Sequence, residues 1–358
     1  MLYFFGLSHV EQMRGLHVKL NLLRGIKLEG HVLVTGPTGS GKTNTVKVIL
    51  EELVDRIPAL VLDYHGEYIC PRVYAPGRNL EFNMLASGSQ SDMEFLVDVL
   101  GTVFQLTEPQ WYILVKAAKR IEPPFTLQRL IEAVEEEPAR DWREFEVKQA
   151  VLRRLSILNE GVLGRVLNGS EDPSFLFEEH SCVNLSVIPP KYRALLTLVL
   201  LRHLYDHFST RGESDVVRHV TVIEEAWSIL WPRAQWEAPS IGERLFLELR
   251  KFGELLIAVS QRVDDVSPRV ARNCAVVLMH MPTQLDLERI GCRTNEVEPR
   301  RLGRGKVLVV EPGCRMRALR VRRARDIVGG RCKKDAQRLF LKRADASRCQ
   351  RARGWSGG

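Results

Sequence analysis

A nine-residue stretch has the residue types and the spacing of a loop that binds the phosphates of a nucleotide. Its glycines, which lack a Cβ, let backbone N–H groups approach an anion closely. The ammonium group of Lys42 can reach the β- and γ-phosphates, and the hydroxyl of Thr43 can ligate Mg²⁺. We therefore predict contacts to ATP from every residue of the stretch: Gly36, Pro37, Thr38, Gly39, Ser40, Gly41, Lys42, Thr43 and Asn44.

A second group with catalytic potential lies where a β-branched run, residues 219–223, ends in Glu224 and Glu225. ATPases with such a loop need a carboxylate for the metal and another for the attacking water. We expect Glu224 to hold Mg²⁺ through water, and Glu225 to orient and deprotonate the nucleophilic water. The alternative is a strand that runs into a helix opening with acidic residues, which the helix dipole favours. The complete phosphate-binding loop upstream favours the catalytic interpretation.

A third candidate is Gln261, which ends the apolar run 255–260. A polar side chain that ends a central strand beside the strand of the phosphate-binding loop faces the γ-phosphate. Gln261 is therefore a candidate sensor of that phosphate.

The elements that must position these residues are predicted from apolar spacing. Residues 31–35 form a short buried run before the glycine loop, and Val46, Ile49, Leu50 and Leu53 share one helical face behind it. A further buried run at 59–63 completes a β-α-β unit, which requires parallel strands. Later strands are expected at 182–187, 275–279, 306–310 and 316–321. The predicted fold class is α/β, with a RecA-like P-loop NTPase core, a mainly parallel central sheet and an all-helical insertion.

Helical spacing dominates the middle of the chain, at 93–104, 108–120, 126–137 and 141–159, with prolines near the starts and stops. We predict four regions. They are the N-terminal part of the ATPase core with the P-loop (1–90), the helical insertion (91–180), the C-terminal part of the core (181–325), and a basic, disordered tail (326–358). Another helix is expected after the prolines at 189 and 190.

Composition and charge narrow the function classes. The 358 residues are 45% hydrophobic and 27% charged, as in ordinary globular proteins. No apolar run reaches the length of about 20 residues that spans a bilayer, so no membrane insertion is predicted. Seven cysteines without a C-x-x-C pair argue against a disulfide framework and a zinc site, which favours a cytoplasmic setting.

The net charge of +8 is concentrated at one end of the chain. Residues 315–358 hold 15 Lys/Arg against three Asp/Glu, so the other 314 residues are mildly acidic. Such a tail either binds a polyanion or is a solvated segment, and the sequence leaves both interpretations open.

Five motifs in fixed order carry a family resemblance. They are GPTGSGKTNTV at 36–46, DYHGEY at 63–68, VIEEAW at 222–227, LRKFGELLIAVSQR at 249–262 and LGRGKVLVV at 302–310. The chain resembles the HerA family of hexameric DNA-translocating ATPases, within the wider group that includes the FtsK, VirB4 and TraG-type motors. The most specific motif is DYHGEY, where the family has Pro at the position of Tyr64. Trp227 likewise stands where the family has His.

The resemblance implies a Mg²⁺-dependent ATPase that forms a hexameric ring and moves along double-stranded DNA. In such a ring Arg250, which precedes Lys-Phe-Gly, acts in the active site of the neighbouring subunit, and Glu224 and Glu225 are the Walker B pair. The implied partners are a nuclease, capsid or transfer-machinery protein. Because 35 residues precede Gly36, the N-terminal β-barrel of nuclease-linked relatives is expected to be absent. A protein-secretion ATPase and a nucleotide-switch binding module stay open as alternatives.

Aromatic and histidine residues near the second site have two interpretations each. Trp227, Trp231 and Trp236 are predicted to pack a helix after the Walker B strand, with base stacking as the alternative. His65 lies at a strand end on the nucleotide side, where it either takes a direct part in the reaction or packs its turn.

Overall fold

The computed structural model describes residues 15–83, 90–122, 125–169, 171–234, 236–292, 302–325, 327–328 and 331–332. Within these residues one sheet holds nine strands. In chain order they are β3 (Val32–Thr35), β4 (Ala59–Asp63), β5 (Arg72–Tyr74), β6 (Ser181–Asn184), β7 (His219–Ile223), β8 (Glu254–Ser260), β9 (Val276–Met279), β10 (Lys306–Glu311) and β11 (Arg315–Arg320).

The strands lie side by side in the order β11-β10-β9-β3-β8-β7-β4-β6-β5. Every pair from β9 to β5 is parallel, whereas β10 is antiparallel to both β9 and β11. Strands β3, β4, β7, β8 and β9 are buried along their whole length. This burial explains why they appear in the sequence as continuous apolar runs. The predicted α/β fold with a mainly parallel central sheet is confirmed.

Helices cover both faces of the sheet. They are α1 (Lys42–Leu53), α2 (Gln90–Val103), α3 (Glu108–Ala118), α4 (Leu127–Glu136), α5 (Trp142–Asn159), α6 (Gly161–Leu167), α7 (Pro190–Ser209), α8 (Ile241–Glu248), α9 (Pro268–Asn273) and α10 (Gln284–Arg289). Helix α1 packs on the face of β3 that carries Val32 and Val34. Helices α2 to α8 pack on the opposite face, which carries Leu33.

The all-helical insertion consists of α2 to α6, between β5 and β6 in the chain. Its helices begin where polar caps bind free backbone N–H groups. The hydroxyl of Thr126 accepts from the N–H of Arg129, and the carboxylate of Asp141 accepts from the N–H of Glu144. Because the insertion shares one hydrophobic core with the sheet, the exact domain boundaries remain a prediction.

A β-hairpin precedes the central sheet in the chain. Its strands, β1 (Leu16–Lys19) and β2 (Gly25–Leu28), pair in antiparallel fashion. The side chain of Asn21 accepts hydrogen bonds from the N–H groups of Leu23 and Arg24, which forms a tight turn. Leu22 is therefore at the hairpin tip and 86% exposed.

The strand expected at 182–187 is shorter than predicted. Its pairing ends at Asn184, and a 3₁₀ turn follows from Leu185 to Val187. The side chain of Asn184 accepts from the N–H of Ser186, so the local bond replaces the strand ladder.

The cysteine interpretation is wrong in one respect. A disulfide joins Cys292, just after α10, to Cys314, in the turn between β10 and β11. Spacing alone could not show this bond, because only the docking of α10 beside that turn brings the two residues together.

The basic tail is described only in part. Two short strands, β12 (Ile327–Val328) and β13 (Arg331–Cys332), pair in antiparallel fashion. The remainder of the predicted tail, residues 326, 329–330 and 333–358, lies outside the described residues. Among the described helices, none combines the length and the apolar character needed to cross a bilayer.

Candidate active site

The phosphate-binding loop connects β3 to α1 at the carboxyl ends of the parallel strands. Gly36 and Gly41 have φ angles of 144° and 114°, which side chains with a Cβ rarely adopt. At Gly36 a Cβ would also lie 2.6 Å from both Cβ and the backbone oxygen of His280. Glycine at position 36 is therefore required by backbone conformation and by close packing. Strand, loop and helix aim the N-terminus of α1 at the site where phosphate would bind.

Lys42 starts α1 and turns back over the loop. Its ammonium donates to the backbone oxygens of Gly36, at 2.6 Å, and Pro37, at 3.2 Å. Partial burial lowers the pKa of Lys42, while the carboxylates of Glu225 and Glu224 act in the opposite direction. The structure thus brings the predicted phosphate-binding lysine and the two predicted Walker B carboxylates together.

Asn44 has a role that the sequence did not indicate. Its side-chain nitrogen donates to the backbone oxygen of Arg322, and its side-chain oxygen accepts from the N–H of Ala324. The guanidinium of Arg322 in turn contacts Glu51 and Glu52 on the same helix. The side chain of Asn44 therefore ties the segment after β11 to α1. Its part in nucleotide binding remains a prediction.

Glu224 follows β7 directly and is 4% exposed. Its Oε1 accepts a hydrogen bond of 2.8 Å from the hydroxyl of Tyr68. Burial raises the pKa of Glu224 to about 7, and the nearby charge of Asp63 adds to this rise, whereas the Tyr68 bond opposes it. The donor set fits Mg²⁺, because the hydroxyl of Thr43 and the carboxylate of Glu224 are hard oxygen ligands.

Glu225 adopts the left-handed conformation, with φ 46° and ψ 45°. Its carboxylate accepts one hydrogen bond from Nε2 of His65, at 3.1 Å, and one from the indole N–H of Trp227. The helix expected after this strand is replaced by a 3₁₀ turn, Ala226–Ser228, and a loop that leads to α8. The left-handed residue breaks the helical path, so the predicted packing of Trp227, Trp231 and Trp236 in a helix is wrong. Trp227 is 47% exposed and Trp236 is 89% exposed.

The DYHGEY motif forms a loop around the carboxylate of Asp63. The two oxygens of Asp63 accept from the backbone N–H groups of His65, Gly66 and Tyr68. This arrangement points Tyr68 at Glu224 and His65 at Glu225. The motif therefore positions both candidate Walker B carboxylates.

Gln261 follows β8, and β8 pairs directly with β3. Its backbone oxygen accepts from the N–H of Gly36 at 3.1 Å, and its side chain is exposed. The residue lies beside the loop, where a sensor must be. Its action on the γ-phosphate remains a prediction.

Arg250 lies on the opposite side of the sheet from the phosphate-binding loop, where the parallel strands begin. It belongs to a 3₁₀ turn, Leu249–Phe252, that precedes β8, and its guanidinium packs beside Gly30, just ahead of β3. Gly36 lies six residue steps beyond Gly30 along extended backbone, which corresponds to about 20 Å. An arginine side chain cannot cover that distance, so Arg250 cannot reach the phosphate-binding loop of its own chain.

His280 is a site residue that the sequence analysis missed. It follows β9, the other neighbour of β3, and its Nε2 shares a 2.9 Å hydrogen bond with the hydroxyl of Thr45. Burial lowers the pKa of His280 to about 4, and the charge of Lys42 contributes. The sequence pattern that pointed to Gln261 also applies to His280, because each is a polar residue directly after a buried strand.

We predict that acid destabilises the protein through His280. Below pH 6.5 an unfolded histidine binds a proton, whereas native His280 stays neutral until about pH 4. In that window the free energy of unfolding should fall by about 1.4 kcal/mol per pH unit for this group, or roughly 2 kcal/mol at pH 5. Denaturant midpoints at pH 7.5, 6 and 5 measure the fall.

The variant His280→Gln keeps a hydrogen-bonding group near Thr45 but cannot titrate, so its midpoint should depend less on pH. His17→Gln, at an exposed position of β1, is the matched control. Identical pH profiles for the native protein and His280→Gln would contradict the prediction.

Comparison with known proteins identifies the family and the fold. The family model described as the central domain of helicase HerA matches residues 6–204. The DNA double-strand break repair helicase HerA of Sulfolobus acidocaldarius is 25% identical over 270 residues, which are 66% of this chain and 51% of that protein. The chain thus spans about half the length of this curated relative.

Two solved structures share the fold. VirB4 of Thermoanaerobacter pseudethanolicus matches with a TM-score of 0.60 and 17% identity, over 82% of this chain and 89% of that one. The bacterial conjugative coupling protein TrwBΔN70 matches with a TM-score of 0.61 and 14% identity, over 84% and 86%. At these identities the likeness concerns the fold alone. The family match covers more than half of the chain and includes the phosphate-binding loop, so this chain belongs to the family of the HerA helicase central domain.

Proposed function

We propose that this protein is an ATPase that forms a hexameric ring and translocates double-stranded DNA. Membership of the HerA family supports the proposal, as does the similarity to a DNA repair helicase. The observation that carries it is the position of Arg250, on the edge of the sheet away from its own phosphate-binding loop.

A ring gives Arg250 a target. When the amino edge of one subunit's sheet faces the carboxyl edge of the next, the exposed Arg250 enters the neighbour's site. ATP then lies between subunits, and its hydrolysis changes a subunit contact. Because each site depends on a neighbouring subunit, hydrolysis is linked to motion of the subunits along DNA. Contacts from the ring to the DNA phosphates need not depend on base sequence.

Within each site the residues have separate roles in binding and hydrolysing ATP. The loop from Gly36 to Gly41 and the ammonium of Lys42 hold the phosphates. The hydroxyl of Thr43 and the carboxylate of Glu224 would hold Mg²⁺, which supplies neutralisation of phosphate charge when bound. Glu225 takes the proton of the attacking water, and Gln261 senses the γ-phosphate.

The test is ATP turnover with and without linear duplex DNA, combined with the molecular mass in solution with a non-hydrolysable ATP analogue. We expect a severalfold rise in turnover with duplex DNA and a mass of six subunits. Heparin, a polyanion without a duplex, is the control for charge alone. A monomer with nucleotide, or a turnover that DNA leaves unchanged, would contradict the proposal and favour a protein substrate or a nucleotide switch.

A further inference from the structure

The turn from Glu224 to Ser228 is connected to the DYHGEY loop at three points. The hydroxyl of Tyr68 donates to Glu224, and the hydroxyl of Tyr64 shares a 2.9 Å hydrogen bond with Ser228. Between them, Nε2 of His65 donates to Oε1 of Glu225. Both ends of the turn are therefore fixed to buried tyrosines, which are each 5% exposed.

The middle of the turn carries the strain. Glu225 is one of four non-glycine residues with positive φ among the described residues. A residue in this conformation costs of the order of 1–3 kcal/mol, and it persists only where its surroundings hold it. The conformation aims the carboxylate of Glu225 away from a helical path and toward His65 and Trp227.

Trp227 is not held beside Glu225 by packing in the hydrophobic core. Trp227 is 47% exposed, and it belongs to neither of the two hydrophobic clusters that fill the described core. Its indole N–H donates to Oε2 of Glu225. An indole can only donate, so the bond keeps one polarity, and its charge-assisted character makes it strong.

Tyr64 stabilises the backbone next to Trp227. Its hydroxyl is bound by both Thr197 and Ser228, and its backbone oxygen accepts from the guanidinium of Arg193. Because Ser228 directly follows Trp227, these bonds fix the backbone from which the indole reaches Glu225.

We propose that Trp227 is a positioning residue for ATP hydrolysis, which acts by fixing the carboxylate of Glu225 through its indole N–H. With one oxygen bound to His65 and the other to Trp227, the carboxylate has a single orientation, and each oxygen keeps a lone pair for water. A general base must lie within hydrogen-bond reach of its proton in the right direction. The inference rests on the proposed role of Glu225 as the base.

The experiment compares two substitutions at one position in the full chain. Trp227→Phe keeps an aromatic ring without a donor, and Trp227→His restores an N–H donor. We expect Trp227→Phe to lower kcat by on the order of 10²-fold, the cost of misplacing a catalytic group by about 1 Å. The KM for ATP should stay within about twofold, because Glu225 acts in the transition state only. Trp227→His should recover most of the lost kcat.

Trp236→Phe is the matched control, because Trp236 lies in the same loop and is 89% exposed. This variant should have unchanged kcat and KM. A further test places Trp227→Phe in a Glu225→Gln background, where it should cause no additional loss, since residues that act as a unit are not additive.

The outcomes separate this inference from the proposed function. If Glu225→Gln is inactive while Trp227→Phe has normal or raised kcat, only the role of Trp227 is overturned. If Trp227→His is as slow as Trp227→Phe, ring packing and not the donor is responsible, and the inference is again overturned. If Glu225→Gln hydrolyses ATP at the native rate, the proposed base and the role of Trp227 both fail.

Discussion

Arg250→Ala is expected to lower ATP turnover by roughly 10³–10⁵-fold, the range found for other arginine fingers. ATP binding should fall much less, because a finger acts mainly on charge that develops in the transition state. The guanidinium of Arg250 is exposed and lies at the amino edge of the sheet, so its loss should not disturb the fold. Lys251→Ala is the matched control, since Lys251 is the adjacent exposed cation in the same turn.

Mixing two inactive variants tests whether Arg250 acts in the neighbouring subunit. Arg250→Ala subunits keep a complete phosphate-binding loop, and Lys42→Ala subunits keep the arginine. Mixed rings should recover part of the turnover at interfaces that pair an intact loop with an intact Arg250. The two variants could also stay inactive together while labelled subunits demonstrably exchange. In that case Arg250 serves no neighbour, and the ring proposal loses the observation that carries it.

Lys42→Ala and Glu225→Gln should both abolish hydrolysis, but for different reasons. The ammonium of Lys42 lies over the phosphate-binding loop. In the proposed site it binds phosphate in the ground state, so its removal should weaken ATP binding as well. Glu225 is proposed to act on the attacking water alone. Its replacement by glutamine, which keeps the shape of the side chain but cannot take a proton, should leave ATP affinity close to native.

Titration with a fluorescent ATP analogue, alongside single-turnover hydrolysis, separates the two effects. The Glu225→Gln protein should bind the analogue and trap uncleaved ATP. Equal losses of affinity in both variants would count against the assigned roles. Asp264→Asn is a control for loss of charge elsewhere. Asp264 lies just after β8, is half-buried and forms an ion pair with Arg289.

The sequence by itself determined the features that depend on neighbours along the chain. The glycines around Lys42 mark the phosphate-binding loop because only glycine adopts their backbone conformation. Continuous apolar runs identified the buried strands, and apolar spacing with flanking prolines identified α3, α4 and α5 to within a few residues. The two carboxylates after β7 were visible because a buried strand that ends in acidic residues is unusual. The family resemblance added Arg250, which spacing alone would not have selected.

Only the tertiary structure decided which distant residues meet. The sheet order places β8 and β9 on the two sides of β3, so Gln261 and His280 lie beside the same loop. It also places Arg250 about 20 Å from that loop. A local hydrogen bond overrode the apolar pattern at Asn184, and the left-handed backbone of Glu225 ended the expected helix. The contact of Trp227 with Glu225, like the Cys292–Cys314 bond, arises from the path of the folded backbone, which no residue spacing specifies.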